Sequence, residues 1–90
     1  MNMEAVIVPN AYCLKELGGE VMVTSESMDD ILIVNELGAR ILQRISEGDP
    51  ITVGAVVEMI GREYRADTVE EDVLAFLEEM KESGVISVLA

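Results

Sequence analysis

The sequence changes its periodicity at Asn35, and this change constrains the fold more than any other feature. Residues 31–34 are four consecutive apolar side chains, a pattern typical of a short strand covered on both faces. Beyond Asn35, Leu37 and Ile41 follow with helical spacing, and the Asn35 side-chain oxygen can accept hydrogen bonds from the first-turn amides. We therefore predict a strand that leads directly into a helix. A chain of 90 residues has little structure with which to cover both faces of such a strand, so its apolar character needs an explanation.

A glycine pair earlier in the chain predicts a β-hairpin. Gly18 and Gly19 can both adopt the positive φ angles that a two-residue hairpin turn requires. After the turn, Val21 and Val23 fall on one face of the second strand, as expected for a half-buried hairpin. With residues 31–34 as the third strand, the N-terminal part of the chain predicts a three-stranded antiparallel sheet.

Three helices are predicted to follow this sheet. The first begins after Asn35, the second after Thr52, and the third after Thr68, ending near Ser83. Thr68 and Glu71 have the spacing of a capping box, in which each side chain bonds to the other residue's amide. The short turns between the helices predict that they pack as neighbours.

The predicted order of elements indicates the α+β class. Strands lie within about residues 11–34 and helices within about residues 35–83, so strands and helices are segregated along the chain. The arrangement resembles a winged-helix module with its wing placed first, in one domain spanning residues 1–90. The apolar segment at residues 85–89 is either a further strand or a tail packed on the core.

Several side chains carry more local expectations. Gly38 lowers helix stability, so we expect it to permit the close approach of a neighbouring backbone. Glu36 and Arg40 have the spacing of an exposed helical ion pair. Cys13 is the only cysteine, and we expect it to be a buried space-filling residue rather than a nucleophile.

The charge balance excludes some classes of partner. Six basic and eighteen acidic residues give a formal net charge of −12. Nucleic-acid binding depends on Lys and Arg that release phosphate counterions, so this charge disfavours DNA and RNA as well as anionic membrane surfaces. No apolar segment approaches the roughly 20 residues that span a bilayer, and no signal peptide is recognisable, so a cytoplasmic protein is expected.

The sequence also lacks the usual means of catalysis. It contains no histidine, which removes most general bases, nucleophile pairs and zinc sites, and it has no phosphate-binding glycine loop. We expect no enzyme activity, no catalytic residue, no metal site and no cofactor. Residues 26–29 resemble the Asp-Ser-Leu attachment site of acyl or peptidyl carrier proteins, but the preceding hairpin favours a polar turn there.

From residue 31 onward the chain resembles the PqqD family, the peptide chaperones of pyrroloquinoline quinone biosynthesis and related recognition domains. No single matching element is specific, but the series occurs at the spacing of the family. The matching residues are Val34-Asn35, Gly38-Ala39-Arg40-Ile41-Leu42, Glu47-Gly48, Thr52-Val53, Tyr64, Glu71-Asp72-Val73, Phe76-Leu77 and Glu82-Ser83-Gly84-Val85-Ile86.

The resemblance implies a non-catalytic peptide chaperone. In the family, the leader of a ribosomally synthesised precursor peptide adds as a strand beside the third strand and rests against the third helix. The module then presents the peptide to a modifying enzyme, frequently a radical S-adenosylmethionine (SAM) protein. The resemblance implies that the peptide-binding residues here are Ile31, Leu32, Ile33, Val34, Asp72, Val73, Phe76 and Glu79.

The pattern of residues 31–34 supports the same mode of binding. Strand addition uses the unpaired amides of a sheet edge and the pockets for alternate side chains. Leu32 and Val34 can face the core while Ile31 and Ile33 face the other way. Either these two isoleucines are open to a peptide, or the third helix or residues 6–8 cover them. An open edge would also allow a homodimer through edge pairing.

The chain departs from the dedicated cofactor-pathway members at two places. Those members commonly have Pro-Glu before the third strand and an aromatic residue near the C-terminus, where this chain has Ser25-Glu26 and Val85-Ile86. The resemblance therefore does not identify the pathway. A winged-helix transcription factor is the remaining alternative beside the carrier protein, and the negative charge disfavours it.

Overall fold

The computed structural model describes residues 1–25, 31–65 and 67–89. Its elements are β1 (Val6–Pro9), β2 (Cys13–Leu17), β3 (Glu20–Thr24), β4 (Leu32–Val34), α1 (Glu36–Ser46), β5 (Ile51–Thr52), α2 (Val53–Glu63), α3 (Val69–Glu82) and β6 (Ile86–Leu89). The fold is α+β, with antiparallel strands in small sheets and three helices, as predicted. The likeness to a winged helix stays a prediction. Residues 26–29, which resemble the attachment site of a carrier protein, lie outside the described residues.

The predicted hairpin sheet is present, in the order β2-β3-β4. Gly18 and Gly19 form its turn with φ angles of 59° and 84°, the positive values that the glycine pair predicts. In the register, Met22 of β3 lies between Lys15 of β2 and Ile33 of β4. This pairing leaves β4 at one edge of the sheet.

A second sheet, in the order β5-β1-β6, was not predicted. Its central strand β1 pairs with β6, so that Val6 lies opposite Leu89, and with β5, so that Ile7 lies opposite Ile51. The apolar segment at residues 85–89 therefore contains a strand rather than a tail. Because β1 pairs with two later segments, the second sheet joins the two ends of the described chain.

The core lies between the two sheets and the inward faces of the helices. All of its buried side chains are apolar among the described residues. The helical members are Ala39, Ile41, Leu42 and Ile45 of α1, Val53, Val56 and Ile60 of α2, and Val69, Val73, Leu77 and Met80 of α3. Each fully buried aliphatic side chain contributes about 1.5–3 kcal/mol relative to exposure, so these stripes hold the helices against the sheets.

Two of the three predicted helix caps form. The Asn35 side chain accepts from the Gly38 amide at 2.8 Å, and Thr52 accepts from the Ala55 amide at 3.1 Å. The predicted capping box at Thr68 is wrong, because its hydroxyl donates instead to the Asp72 carboxylate at 3.0 Å. The backbone of Thr68 has a ψ of 7°, whereas the ψ of Asn35 is 178°, so Thr68 lacks the extended geometry of a cap.

Two more local predictions are wrong. Arg40 pairs with Glu63 of α2 at 3.0 Å rather than with Glu36, because α2 brings a carboxylate within reach of α1. Cys13 is exposed rather than buried, because the strand alternation places it on the outer face of β2. Within the described ranges, no helix is both long enough and apolar enough to cross a membrane.

Candidate functional site

The edge strand β4 separates its side chains between two environments. Val34 is buried and Leu32 is half-buried, both packed on the core, whereas Ile31 and Ile33 are 59% and 64% exposed. The alternative that α3 or residues 6–8 cover these isoleucines is wrong, because both side chains are mostly exposed. Among the described residues, the two isoleucines are therefore exposed side chains beside a sheet edge on which no further strand is paired.

The backbone at Ile33 faces that open edge. The two-residue turn makes Leu17 and Glu20 a hydrogen-bonded pair, and bonding directions alternate along the strands from that point. The backbone N–H and C=O of Met22 therefore point towards β2, and those of Val21 and Val23 point towards β4. Since Ile33 lies opposite Met22, its N–H and C=O point away from β3, where an added strand could pair with them.

A groove runs along α3, facing β4 in one part and the start of α1 in the other, and we refer to it as the β4–α3 groove. Its smaller part, about 140 Å³, is lined by Leu32, Ile33, Val34, Asn35, Phe76, Glu79 and Met80. Its larger part, about 470 Å³, is lined by Asn35, Leu37, Asp72, Ala75, Phe76 and Glu79. The two parts share Asn35, Phe76 and Glu79, so they form neighbouring sections of one groove.

The structure brings most of the predicted site residues together around this groove. Leu32, Ile33, Val34, Asp72, Phe76 and Glu79 line it, and Ile31 is exposed just before β4. Val73 is fully buried, so it supports α3 from within the core and does not line the groove surface. Sequence reasoning missed Asn35, Leu37, Ala75 and Met80. Ala75 and Met80 could have been found, since they lie three and four residues from Asp72 and Phe76 on the same helical face.

The ring of Phe76 stands against the backbone of α1 at Gly38. A β-carbon added to Gly38 would lie 2.5 Å from the Phe76 Cε1 atom and 2.9 Å from Cζ. Gly38 therefore permits the close approach of an aromatic side chain, not of the neighbouring backbone that we predicted. Because Phe76 is half-buried and lines both parts of the groove, Gly38 helps to set the position of its ring.

The charged side chains that line the groove are carboxylates. Asp72 and Glu79 are exposed residues seven positions apart on α3, which places them on one face of the helix. Neither part of the groove has a Lys or Arg among its lining residues. The groove thus combines an open backbone edge, apolar side chains and two negative charges.

A wider cleft lies on the other side of the β4–α1 joint, beneath the hairpin turn. Its volume is about 780 Å³, and its charged lining residues are Glu16, Glu20, Glu36 and Arg40. Arg40 already pairs with Glu63, so its positive charge is engaged there. In the part of the chain that the structure describes, no group of His, Cys, Asp and Glu side chains is arranged to hold a metal ion.

Comparison with known proteins agrees with this architecture. The family model for Coenzyme PQQ synthesis protein D (PqqD) matches residues 13–86. A solved structure, "TbiB1 in Complex with the TbiA(beta) Leader Peptide", has a TM-score of 0.71 and 23% sequence identity, and the match covers 89% of this chain and 93% of that chain. This likeness shows that the two chains share a fold. The comparison with curated proteins gave no match.

Proposed function

Because this chain belongs to the PqqD family, we propose that it is a non-catalytic peptide chaperone that binds the leader of a ribosomally synthesised precursor peptide. The observation that carries the proposal is the open edge of β4, which faces a groove lined by α3. An extended peptide can pair with such an edge through main-chain hydrogen bonds and place alternate side chains in the groove. The related fold of TbiB1, which was solved in complex with a leader peptide, supports leader binding as the role.

The residues proposed to serve this function have different roles. The backbone of Ile33 offers the donor and acceptor at the edge, and Ile31 lies beside it. Leu32, Val34 and Phe76 provide apolar surface, while Asp72 and Glu79 provide charge. Val73 holds α3 in place from beneath.

The bound peptide would be presented to a modifying enzyme, which we propose to be of the radical SAM type. This module would act in the cytoplasm, where ribosomal peptides are made. The pathway need not be that of pyrroloquinoline quinone, since Ser25 and Val85-Ile86 stand where its dedicated members commonly have a proline and an aromatic residue. A homodimer through β4 would use the same edge, so peptide and second copy would compete for it.

The direct test is a titration of the ¹⁵N-labelled protein with the leader peptide encoded beside its gene. We expect amide shifts at residues 31–34 and along the groove face of α3, with little change in β1 and β6. Shifts that avoid both β4 and α3 would contradict the proposal. Sedimentation with and without the peptide would show whether a dimer exists and whether the peptide displaces it.

A further inference from the structure

The β4–α3 groove is divided by one side chain into two sections of different character. The Phe76 ring borders both sections, and its position is set by contact with Gly38. The smaller section lies beside Leu32, Ile33 and Val34 of β4, and the buried Met80 lies beneath it. The larger section adds Asp72, which is absent from the smaller one.

The two sections follow one another along α3, and the larger one lies beside Asn35 and Leu37, just past the end of β4. They follow successive turns of α3, and a helical turn advances about 5.4 Å. Side chains two positions apart on a strand point to the same face and lie about 6.6 Å apart. A strand that pairs with β4 and continues past Val34 can therefore place one side chain on each side of the Phe76 ring.

The charges of the larger section indicate which side chain fits there. Glu79 borders both sections, whereas Asp72 borders only the larger one, so the larger section has two carboxylates and no Lys or Arg in its lining. An acidic side chain placed there would meet two carboxylates, while a basic one would be attracted by both. The smaller section has the exposed Ile33 and the half-buried Leu32 and Phe76 in its lining, so it offers an aliphatic side chain apolar contacts.

We propose that this groove recognises a pair of leader residues two positions apart, one aliphatic and one Lys or Arg, on opposite sides of the Phe76 ring. The inference rests on the proposed function and adds to it the chemistry of the peptide. It assigns Asp72 and Glu79 to charge selection, and it assigns Gly38 to positioning the ring.

Synthetic peptides test this inference without knowledge of the natural leader. The probes are fluorescein-labelled Thr- and Ser-rich peptides of about ten residues, long enough for a strand, that carry Leu-Thr-Lys or the reverse order, Lys-Thr-Leu. Matched peptides carry Glu in place of Lys. We expect one Lys peptide to bind about fivefold more tightly than its Glu counterpart, which is the contribution of one partly screened ion pair.

Two double variants separate groove charge from overall charge. D72N/E79Q removes the two groove carboxylates and should abolish the preference for Lys. E70Q/E78Q makes the same change in net charge on the opposite face of α3 and should keep the preference. Equal losses in the two variants, or no preference in the unmodified protein, would overturn the inference.

The same experiment distinguishes this inference from the proposed function. If the Lys and Glu peptides bind equally and both shift the amides of residues 31–34, the result supports peptide binding at β4 and contradicts selection by charge. If none of the peptides binds, the inference also falls, and the titration with the natural leader decides the proposed function separately. Thermal unfolding of each variant verifies that the fold is intact.

Discussion

Gly38 shows how one residue can affect the groove more than the fold. In Gly38→Ala, the new methyl group displaces the far end of the Phe76 ring, since the added β-carbon would lie 2.5 Å from Cε1. The helix gains about 1 kcal/mol of propensity, which offsets much of the cost of moving the ring. We expect a melting temperature within a few degrees of the unmodified protein, but several-fold weaker peptide binding measured by fluorescence anisotropy.

A second variant tests the stated cause. In Gly38→Ala combined with Phe76→Leu, the ring atoms that meet the methyl group are absent, so the alanine should weaken binding no further than Phe76→Leu alone does. A large additional loss would mean that Gly38 acts through some other contact. Binding by Gly38→Ala at the unmodified affinity would show that the ring position does not matter.

Tyr12 gives a residue-level prediction about pH. Burial raises the pKa of the Tyr12 hydroxyl to about 12, partly offset by a hydrogen bond with Ser46, and the hydroxyl donates to the Leu42 carbonyl at 2.8 Å. Since this pKa is above its unfolded value of 10.0, the associated stability is complete below pH 10 and is lost as the pH rises towards 12.

Urea unfolding between pH 8 and pH 11.5 can measure this effect. We expect the free energy of unfolding to fall above about pH 10, and to fall less steeply in Tyr12→Phe, which has no hydroxyl to ionise. Tyr64→Phe is the matched control, since it removes the other tyrosine hydroxyl. If the free energy of unfolding falls with pH as steeply in Tyr12→Phe as in the unmodified protein, ionisation of Tyr12 is not the cause of the fall.

At the scale of the element, one substitution in β4 can remove a hydrogen-bonding group from its open edge without affecting the edge that pairs with β3. Ile33→Pro removes an N–H that points to the open edge, whereas the β3–β4 hydrogen bonds belong to the residues on either side. We expect the fold to persist, as judged by circular dichroism, and leader binding to weaken about tenfold for the lost hydrogen bond.

Ile33→Thr is the control for that variant. It removes the aliphatic side chain but retains the N–H, so it should weaken leader binding less than proline does. If threonine and proline weaken binding equally, the side chain rather than the edge backbone would carry the affinity. A proline variant that fails to fold would contradict the assigned direction of the Ile33 N–H.

The elements differ in how far the sequence could predict them. The hairpin and the three helices have local signals, namely the glycine pair and the periodic apolar residues. The sheet of β1, β5 and β6 has no such signal, because β5 has only two residues and its pairing with β1 depends on the folded chain. The same limit applies to the β4–α3 groove. Its two walls could be predicted separately, but the contact of Phe76 with Gly38 could not, because it depends on how the folded chain brings α1 and α3 together.

At the scale of the whole molecule, a net charge of −12 is carried by a body with extents of 30 × 29 × 20 Å. At about 10 mM salt the Debye length, roughly 30 Å, is comparable with these dimensions, so a peptide in solution experiences most of that charge. At about 150 mM the length is roughly 8 Å, and only charges near the groove still act.

The association rate of a basic peptide should therefore depend strongly on salt. We expect the rate measured by stopped-flow fluorescence for the Lys peptide to fall several-fold from about 10 to 150 mM NaCl, since electrostatic steering is screened. The rate for the matched Glu peptide should rise over the same range. A rate for the Lys peptide that is independent of salt would exclude long-range attraction as a contribution to its capture.

The pairing of β1 with β6 has a consequence for protein engineering. Since Val6 lies opposite Leu89, the two ends of the described chain leave from neighbouring strands, and none of the residues that line the β4–α3 groove belongs to either strand. Ends that lie close together allow a domain to be inserted into a surface loop of another protein with little strain. The chain could thus be inserted into a surface loop of a host enzyme through two short linkers, which would leave the β4–α3 groove accessible.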